Sequence, residues 1–301
     1  MAQTFLNTGT QAGNFEDLVN YIYKISYAQA PFMNAIGSVQ AKAIKHEWMT
    51  QALRAGTDNA KAEGFTPSYA AANQTVRVRR SNQVQIISDS YSVSNTQEYV
   101  DKAGLGTASE YDEQADLREL EVMKDADYEL LRSTTVTRDG DAGTAGEMDG
   151  ALAWAPASGG FRIAASGNLT QDLFEGLSRV IYEASGEAAD TIVVAGYQRR
   201  QISTWTTNYK QIDHKDTNFV DTVETYRGDY GVQTVLHDLH QATDSLLLCK
   251  KSYMKKAFLR PIKHYELGQT VDGRRGYVVM EVTLEARNPN TVGRITGLAI
   301  A

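Results

Sequence analysis

Histidine and carboxylate side chains at close spacing would be the natural ligands of a metal ion in this sequence. His237 and His240 are three residues apart and flank Asp238. A structural zinc site needs four ligands, and a catalytic one needs three plus a water. No third and fourth ligand of the right kind lies close by along the chain. We therefore expect a surface or packing role for this pair and predict no metal site.

Glycine-rich and nucleophile motifs give no support for catalysis. The spacing from Gly140 to Gly150 superficially resembles a phosphate-binding loop, but it follows a predicted helix rather than a strand and lacks the GK[ST] ending. The hydrolase pattern G-x-S-x-G does not occur. We predict no catalytic residue, no cofactor-binding residue and no cofactor, so the protein is not expected to be an enzyme.

Charged residues gather in two places. Arg77, Arg79 and Arg80 form the one basic cluster, and either nucleic acid or an acidic neighbour could pair with it. Salt bridges to an acidic neighbour suit a chain of net charge −7 better. A run of carboxylates is expected to form a solvated face and comprises Glu110, Asp112, Glu113, Asp116, Glu119, Glu121, Asp125, Asp127 and Glu129.

A long helix over residues 109–132 is the element around which the other segments are organised, and we call it the spine helix. It contains no Gly or Pro, and its helix propensity is high throughout. Ser109 is the expected N-cap, and Asp112 and Glu113 oppose the positive end of the helix dipole. Its apolar arc is broad enough to pack against a sheet and a second element, and comprises Tyr111, Ala115, Leu117, Leu120, Val122, Met123, Ala126, Tyr128, Leu130 and Leu131.

The segments before the spine helix predict an arm and an extended hairpin. Residues 16–24 form an expected short helix within a mostly polar arm, and Pro31 is expected to break any helix there. Residues 43–53 and 74–88 alternate like two strands. The loop between them, 54–73, is far longer than an ordinary hairpin loop, which indicates that a partner orders it.

The segments after the spine helix predict a connection, an α/β unit and a ribbon. Residues 137–160 are rich in glycine and small residues, and residues 206–222 are an expected exposed loop. The unit has a helix ended by Gly186 and another over 198–205, with strands at 191–195, 232–236 and 245–249. The ribbon pairs 277–287 with 257–270 through a turn at Asp272-Gly273, and we expect the spine helix to cover one face.

Composition indicates a folded protein of one large or two smaller domains. The chain has 301 residues, of which 42% are hydrophobic and 22% charged. A net charge of −7 disfavours strong nonspecific binding to nucleic acid. Cys249 is the only cysteine, so no intrachain disulfide can form, and its apolar neighbours predict a buried small hydrophobic residue. The N-terminus does not have the pattern of a secretory signal. No apolar run approaches the roughly 20 residues that a membrane-spanning helix needs.

This order of elements resembles the major capsid proteins of tailed phages with the Hong Kong 97-type (HK97-like) α+β fold. A series of short motifs, found in the same order in one branch of those proteins, strengthens the resemblance. They are APFMNAIG (30–37), EWMTQAL (47–53), EG (63–64), NQVQI (82–86), VSNT (93–96), QADLRELEVMKDADYELL (114–131), YRGDYG (226–231), AFLRP (257–261) and VMEVTLEARNPN (279–290). The match covers nearly the whole chain and is weakest over 137–167 and 206–222.

The resemblance implies five segments. They are an N-terminal arm (1–40), an extended loop or E-loop (41–92), a peripheral or P-domain (93–167) with the spine helix and connection, an axial or A-domain (168–256), and the C-terminal β ribbon of the P-domain (257–301).

The resemblance also implies self-assembly into hexamers and pentamers that close as an icosahedral shell around packaged double-stranded DNA. The implied partners are other copies of the chain, portal and scaffolding proteins and in some cases decoration proteins, with weak nonspecific contact to the DNA and no membrane. Assembly would take place in the host cytoplasm. Some members crosslink through a Lys and an Asn, but nothing identifies a partner for Lys61 in the loop, so crosslinking is not inferred. Because only about forty residues precede the E-loop, we expect a separate scaffolding protein or none. An encapsulin-like shell protein is the alternative.

Overall fold

The computed structural model describes residues 30–67, 69, 74–102, 109–136, 144–205, 225–269 and 272–300. The predicted arm helix at 16–24 and the predicted loop at 206–222 both lie outside these ranges. Within them, twelve strands form three sheets of four, six and two strands. None of the described helices has the length and hydropathy needed to cross a membrane.

The element bounds are as follows. The helices are α1 (Pro31–Ala35), α2 (Asn95–Tyr99), α3 (Glu110–Arg132), α4 (Gln171–Ser185) and α5 (Gly196–Trp205). The strands are β1 (Gly37–Gln40), β2 (Lys45–Gln51), β3 (Arg77–Gln83), β4 (Gln85–Ser94), β5 (Arg162–Ala164), β6 (Thr191–Val194), β7 (Thr225–Gly228), β8 (Gly231–His237), β9 (Leu246–Cys249), β10 (Met254–Leu267), β11 (Gly273–Ala286) and β12 (Val292–Thr296).

The predicted ribbon is the centre of the four-stranded sheet. β10 and β11 pair antiparallel along their length, with two register shifts between Phe258 and Lys263. β1 adds to β10 in parallel, and β4 adds to β11 antiparallel, which gives the order β1-β10-β11-β4. Since β4 lies in this sheet, the predicted E-loop range of 41–92 spans two different sheets.

The spine helix, α3, covers one face of this sheet as predicted and contacts β4 and β11. Ser109 is its N-cap, with the side-chain oxygen accepting from the N–H of Asp112 at 3.3 Å. The residues that it buries are Tyr111, Val122, Ala126, Asp127, Leu130 and Leu131. The buried arc is therefore narrower than the sequence suggested, and Tyr128 is 41% exposed.

The described part of the glycine-rich connection, residues 144–160, packs against the end of the spine helix. The N–H groups of Gly150, Ala151 and Leu152 donate to the carbonyls of Ser133, Leu130 and Leu131 at 2.9, 2.7 and 3.1 Å. The last carbonyls of a helix have no donor within the helix. These bonds supply donors to two of them, those of Leu130 and Leu131, and to the carbonyl of the C-cap Ser133. Gly150 thus serves packing rather than phosphate binding, because a Cβ there would lie 2.8 Å from backbone atoms of the helix end.

The predicted α/β unit is the core of the six-stranded sheet, which has the order β5-β12-β9-β6-β8-β7. α4 begins after the N-cap Thr170 and ends at Gly186, which has a φ of 71° and a left-handed conformation. Its apolar face packs with the strands through Phe174, Leu177 and Ile181. β5 and β12 lie outside 168–256, so the sheet takes in the end of the predicted P-domain range of 93–167 and part of the predicted ribbon range of 257–301.

The structure differs from the sequence-based predictions in two short segments. Pro31 opens a helix rather than only ending one, because its missing N–H and fixed φ suit the first helical position. The predicted strand at 74–88 divides at Val84, which is only 1% exposed. Its N–H donates to the carbonyl of Ile44 at 2.8 Å. β3 before it pairs with β2, and β4 after it pairs with β11.

Candidate functional site

A buried cluster of two carboxylates and an imidazole joins three parts of the fold. Asp127 comes from the spine helix, and Asp238 and His240 come from the loop after β8. One ligand atom from each of the three lies within 4.8 Å of the other two. Both carboxylates are 0% exposed. Asp127 was expected on a solvated face, and that expectation is wrong.

The cluster also bears on the prediction made for His237 and His240, because it contains only one of the two histidines. The structure groups Asp238 and His240 with Asp127 and leaves His237 outside the group. A third potential ligand therefore exists, although it is more than one hundred residues away along the chain. Helical periodicity carried a signal for it, since Asp127 precedes the buried Leu130 and Leu131 by three and four residues.

Backbone N–H groups hold both carboxylates in place. Met33 donates to Asp127 Oδ1 at 2.6 Å, and Phe32 donates to Asp238 Oδ2 at 3.2 Å. The N–H of His240 donates to Asp238 Oδ1 at 2.8 Å. Because Phe32 and Met33 lie in α1, these bonds tie the start of the described chain to both the spine helix and the six-stranded sheet.

Burial and the like charges of Asp127 and Asp238 both disfavour ionisation of the two carboxyl groups together. Desolvation and then the nearby charge of Asp238 raise the pKa of the Asp127 carboxyl well above its usual range. Asp127 Oδ2 is buried and accepts from no donor within the described residues. It faces Asp238, and two carboxyl groups can hydrogen bond to each other only when one of them is protonated.

Lys256 is the basic side chain close to this cluster. Its ammonium donates to the carbonyl of Met33 at 2.7 Å. Desolvation lowers the pKa of Lys256, and the charge of Asp127 partly opposes that shift. One ammonium offsets only one of two ionised carboxylates, so the junction keeps an excess of negative charge when both are ionised.

The β2–β3 hairpin is a second candidate site, because its outer part has no core of its own. All residues from 51 to 67 are exposed. The large hydrophobic side chains exposed on the described part of the hairpin and its loop are Ile44 (49%), Met49 (59%), Leu53 (90%), Phe65 (55%), Tyr69 (88%), Val76 (75%) and Val78 (50%).

The basic cluster lies on this hairpin. Arg77, Arg79 and Arg80 are exposed residues of β3. Arg79 pairs with Glu47 across the hairpin at 3.6 Å, and exposed pairs of this kind contribute little stability. The cluster is therefore accessible to a partner, and the predicted salt bridges to an acidic neighbour stay a prediction.

The base of the hairpin is anchored to the end of β11. Trp48 Nε1 donates to the carbonyl of Ala286 at 3.1 Å, and the Asn82 side chain donates to the carbonyl of Leu284 at 2.8 Å. His46 Nε2 lies 3.0 Å from Glu285 Oε2. Desolvation pushes the pKa of Glu285 upward, but hydrogen bonds from His46 and Arg287 outweigh it, so the pKa falls below its usual value.

Cys249 is buried as predicted. Its side chain is 0% exposed, and it belongs to the core cluster that also contains Val193, Leu247 and Val292. Burial, with a smaller contribution from the charge of Asp190, raises the pKa of the thiol to about 12. The thiol therefore stays protonated at neutral pH, which suits a packing role.

A family model described as SU10 major capsid protein matches residues 3–299. The chain belongs to this family. It is a major capsid protein, and therefore a structural component of a virion, which confirms the resemblance found in the sequence. No curated protein matches it.

Solved capsids share the fold of this capsid protein at low sequence identity. The capsid of a native GTA particle has a TM-score of 0.70 at 10% identity, covering 97% of this chain and 98% of that one. Gordonia phage Cozz has a TM-score of 0.63 at 12% identity, covering 97% and 93%. The capsid of Myoviridae phage XM1 has a TM-score of 0.58 at 13% identity, covering 96% and 100%. These similarities support the α+β capsid fold.

Proposed function

We propose that this capsid protein of a tailed phage assembles into hexamers and pentamers that close as an icosahedral shell around a double-stranded DNA genome. The family match supports the capsid role, and it does not favour the encapsulin-like alternative. The observation that carries the assembly proposal is the β2–β3 hairpin. Its outer part exposes several large apolar side chains and buries almost none of them within its own chain.

The hairpin is the proposed E-loop, with a range of 41–84 rather than 41–92. The P-domain then combines the spine helix with the four-stranded sheet, which includes β4 and the ribbon. The A-domain consists of the six-stranded sheet with α4 and α5, including β5 and the returning strand β12. The arm extends to about residue 40 and reaches the body through α1 and β1. This division follows the sheets, since each sheet defines its own packing layer.

Exposed apolar residues on the hairpin provide a physical reason for assembly. Fully burying one such side chain contributes about 1.5 to 3 kcal/mol, so even partial burial of several stabilises a subunit contact. In a closed shell each subunit makes the same contacts many times, and modest contacts then add up. The exposed arginines of β3 would add charge complementarity with acidic surfaces of neighbouring copies.

The other proposed partners follow from the capsid role. Portal, scaffolding and in some cases decoration proteins would act during assembly in the host cytoplasm. Contact with packaged DNA is proposed to be weak and nonspecific, because the chain carries a net charge of −7. Empty shells should bind short duplex DNA weakly at near-physiological salt. Micromolar binding that falls steeply with added salt would contradict this.

Electron microscopy and light scattering of the purified protein test the assembly proposal. We expect megadalton shells or capsomers, and a stable 33 kDa monomer at high concentration would overturn the proposal.

The variant Val78→Asp tests the role of the hairpin. It should abolish assembly and leave the melting temperature of the subunit within about 2 °C, because Val78 is half exposed and outside the core. Val78→Thr is the matched control, since it keeps the shape and strand propensity of valine. Normal shells from the aspartate variant would show that the hairpin contact is not needed.

A further inference from the structure

We propose that Asp127, Asp238 and His240 form a binding site for a divalent transition-metal cation, with zinc as the best-suited ion. The site would lie where the spine helix, the loop after β8 and α1 meet. A metal ion bound there would stabilise the folded subunit, and this proposal does not depend on how the shell assembles.

The spacing of the three side chains fits a metal centre. Zinc bonds to carboxylate oxygen and imidazole nitrogen are about 2.0 to 2.2 Å long, and in a tetrahedral site two such ligand atoms are about 3.3 to 3.6 Å apart. The three ligand atoms here are all within 4.8 Å of one another. Side-chain rotations that move these atoms by up to about 1 Å toward a common centre would complete the geometry.

Burial is the second observation that points to a cation. Asp127 is 0% exposed, and its Oδ2 accepts from no donor within the described residues while facing Asp238. Buried carboxylates are normally paired, hydrogen-bonded or bound to a metal. Lys256 compensates for one negative charge at most, and its ammonium is already engaged by the carbonyl of Met33. A dication bound at Oδ2 would satisfy that atom and balance the charges of the two carboxylates.

The donor set selects the class of metal. Calcium takes six to eight oxygen ligands, and magnesium takes six and keeps several waters. Two carboxylates with one imidazole, in a closed junction, suit zinc or a similar first-row ion instead.

The surrounding hydrogen bonds resemble those that support metal ligands. The N–H of Met33 holds Asp127 through Oδ1, and the N–H groups of Phe32 and His240 hold the two oxygens of Asp238. Outer hydrogen bonds of this kind fix the orientation of ligating carboxylates. The Asp127 Oδ2 atom remains as the side of that carboxylate open to an ion.

Metal analysis and titration of the untagged full-length protein test the proposal. The protein is stripped with EDTA, dialysed and titrated with zinc chloride, with cobalt chloride as a spectroscopic probe. We expect one equivalent of zinc per chain and a visible cobalt spectrum of low coordination number. Asp127→Asn should weaken zinc binding at least 100-fold, and so should His240→Gln. Asp116→Asn is the matched control, because Asp116 is an exposed aspartate of the same helix about three turns away.

Thermal unfolding distinguishes the proposed metal site from the alternative, in which Asp127 and Asp238 share a proton and bind no metal. With a bound metal, EDTA should lower the melting temperature of the natural protein and leave that of Asp127→Asn unchanged. The proposal is overturned if zinc shows no saturable binding, or if Asp127→Asn binds it as well as the natural protein does. It is also overturned if EDTA has no effect on the melting temperature of the zinc-loaded protein, which is the result that a shared proton predicts.

Discussion

Replacing Gly150 by alanine should destabilise the capsid protein by detaching the connection from the end of the spine helix. The new Cβ would stand 2.8 Å from Glu129 O, Leu131 C and Ser133 N. All three are backbone atoms, so no side chain can turn aside to make room. The φ of Gly150 is not in the left-handed region, and the effect is therefore one of space rather than of backbone conformation.

The expected loss is about 2 to 5 kcal/mol of the free energy of unfolding. Overpacking a tight site costs about 1 to 3 kcal/mol. Moving the connection away also weakens its three hydrogen bonds to the helix end, each of which contributes about 0.5 to 1.5 kcal/mol. For a chain of this length, such a loss corresponds to a fall in melting temperature of at least about 3 °C.

Urea and thermal unfolding of unassembled subunits measure the effect of Gly150→Ala. The control is Gly176→Ala in α4, where a Cβ would meet nothing within 4 Å. That substitution should stabilise the subunit by up to about 1 kcal/mol, because alanine has the higher helix propensity. A change smaller than about 0.5 kcal/mol for Gly150→Ala would refute the assigned packing role.

Three further predictions concern the core, the helix start and the hairpin base. Leu130→Ala should cost about 2 to 5 kcal/mol in urea unfolding, because the side chain is 0% exposed, whereas Leu130→Met should cost less than about 1.5 kcal/mol. Ser109→Ala should lower the free energy of unfolding by about 1 kcal/mol through loss of the N-cap. Equal loss in Ser109→Thr, which keeps the capping hydroxyl, would contradict that cause. Glu285→Gln should cost about 1 to 3 kcal/mol at pH 7, because the charged carboxylate accepts from His46 and Arg287. The folded-state pKa of Glu285 is lowered, so its stabilising effect is complete above the unfolded pKa of about 4.3 and disappears as pH falls through the folded value. Urea unfolding at a series of pH values should therefore show the two proteins converging below about pH 4, and a constant difference down to pH 2 would contradict this.

Local patterns predicted the elements that depend on neighbours in the sequence. The spine helix begins after Ser109 and ends at Arg132, as its capping residue and composition indicated. α4 ends at Gly186, as that glycine indicated. The ribbon pairs as its alternation and the Asp272-Gly273 turn indicated, although Gly273 itself opens β11.

Features that depend on distant residues could not be predicted in the same way. The burial of Asp127 requires Asp238 and the backbone of α1, which lie far away along the chain. The division of β3 from β4 depends on which strand each half meets, since both halves have strand-like sequences. The return of β12 to the six-stranded sheet depends likewise on its pairing with β9. Periodicity identifies strands but does not identify their partners.

The burial of Cys249 makes this protein a convenient background for site-directed chemical labelling. Its single native thiol is sealed in the core and, with a pKa of about 12, stays protonated under the neutral conditions used for maleimide coupling. A cysteine introduced at an exposed hairpin position such as Lys61 would be the sole reactive thiol of each subunit. Dyes or crosslinkers could then be attached at one defined position without removing any natural residue of the core.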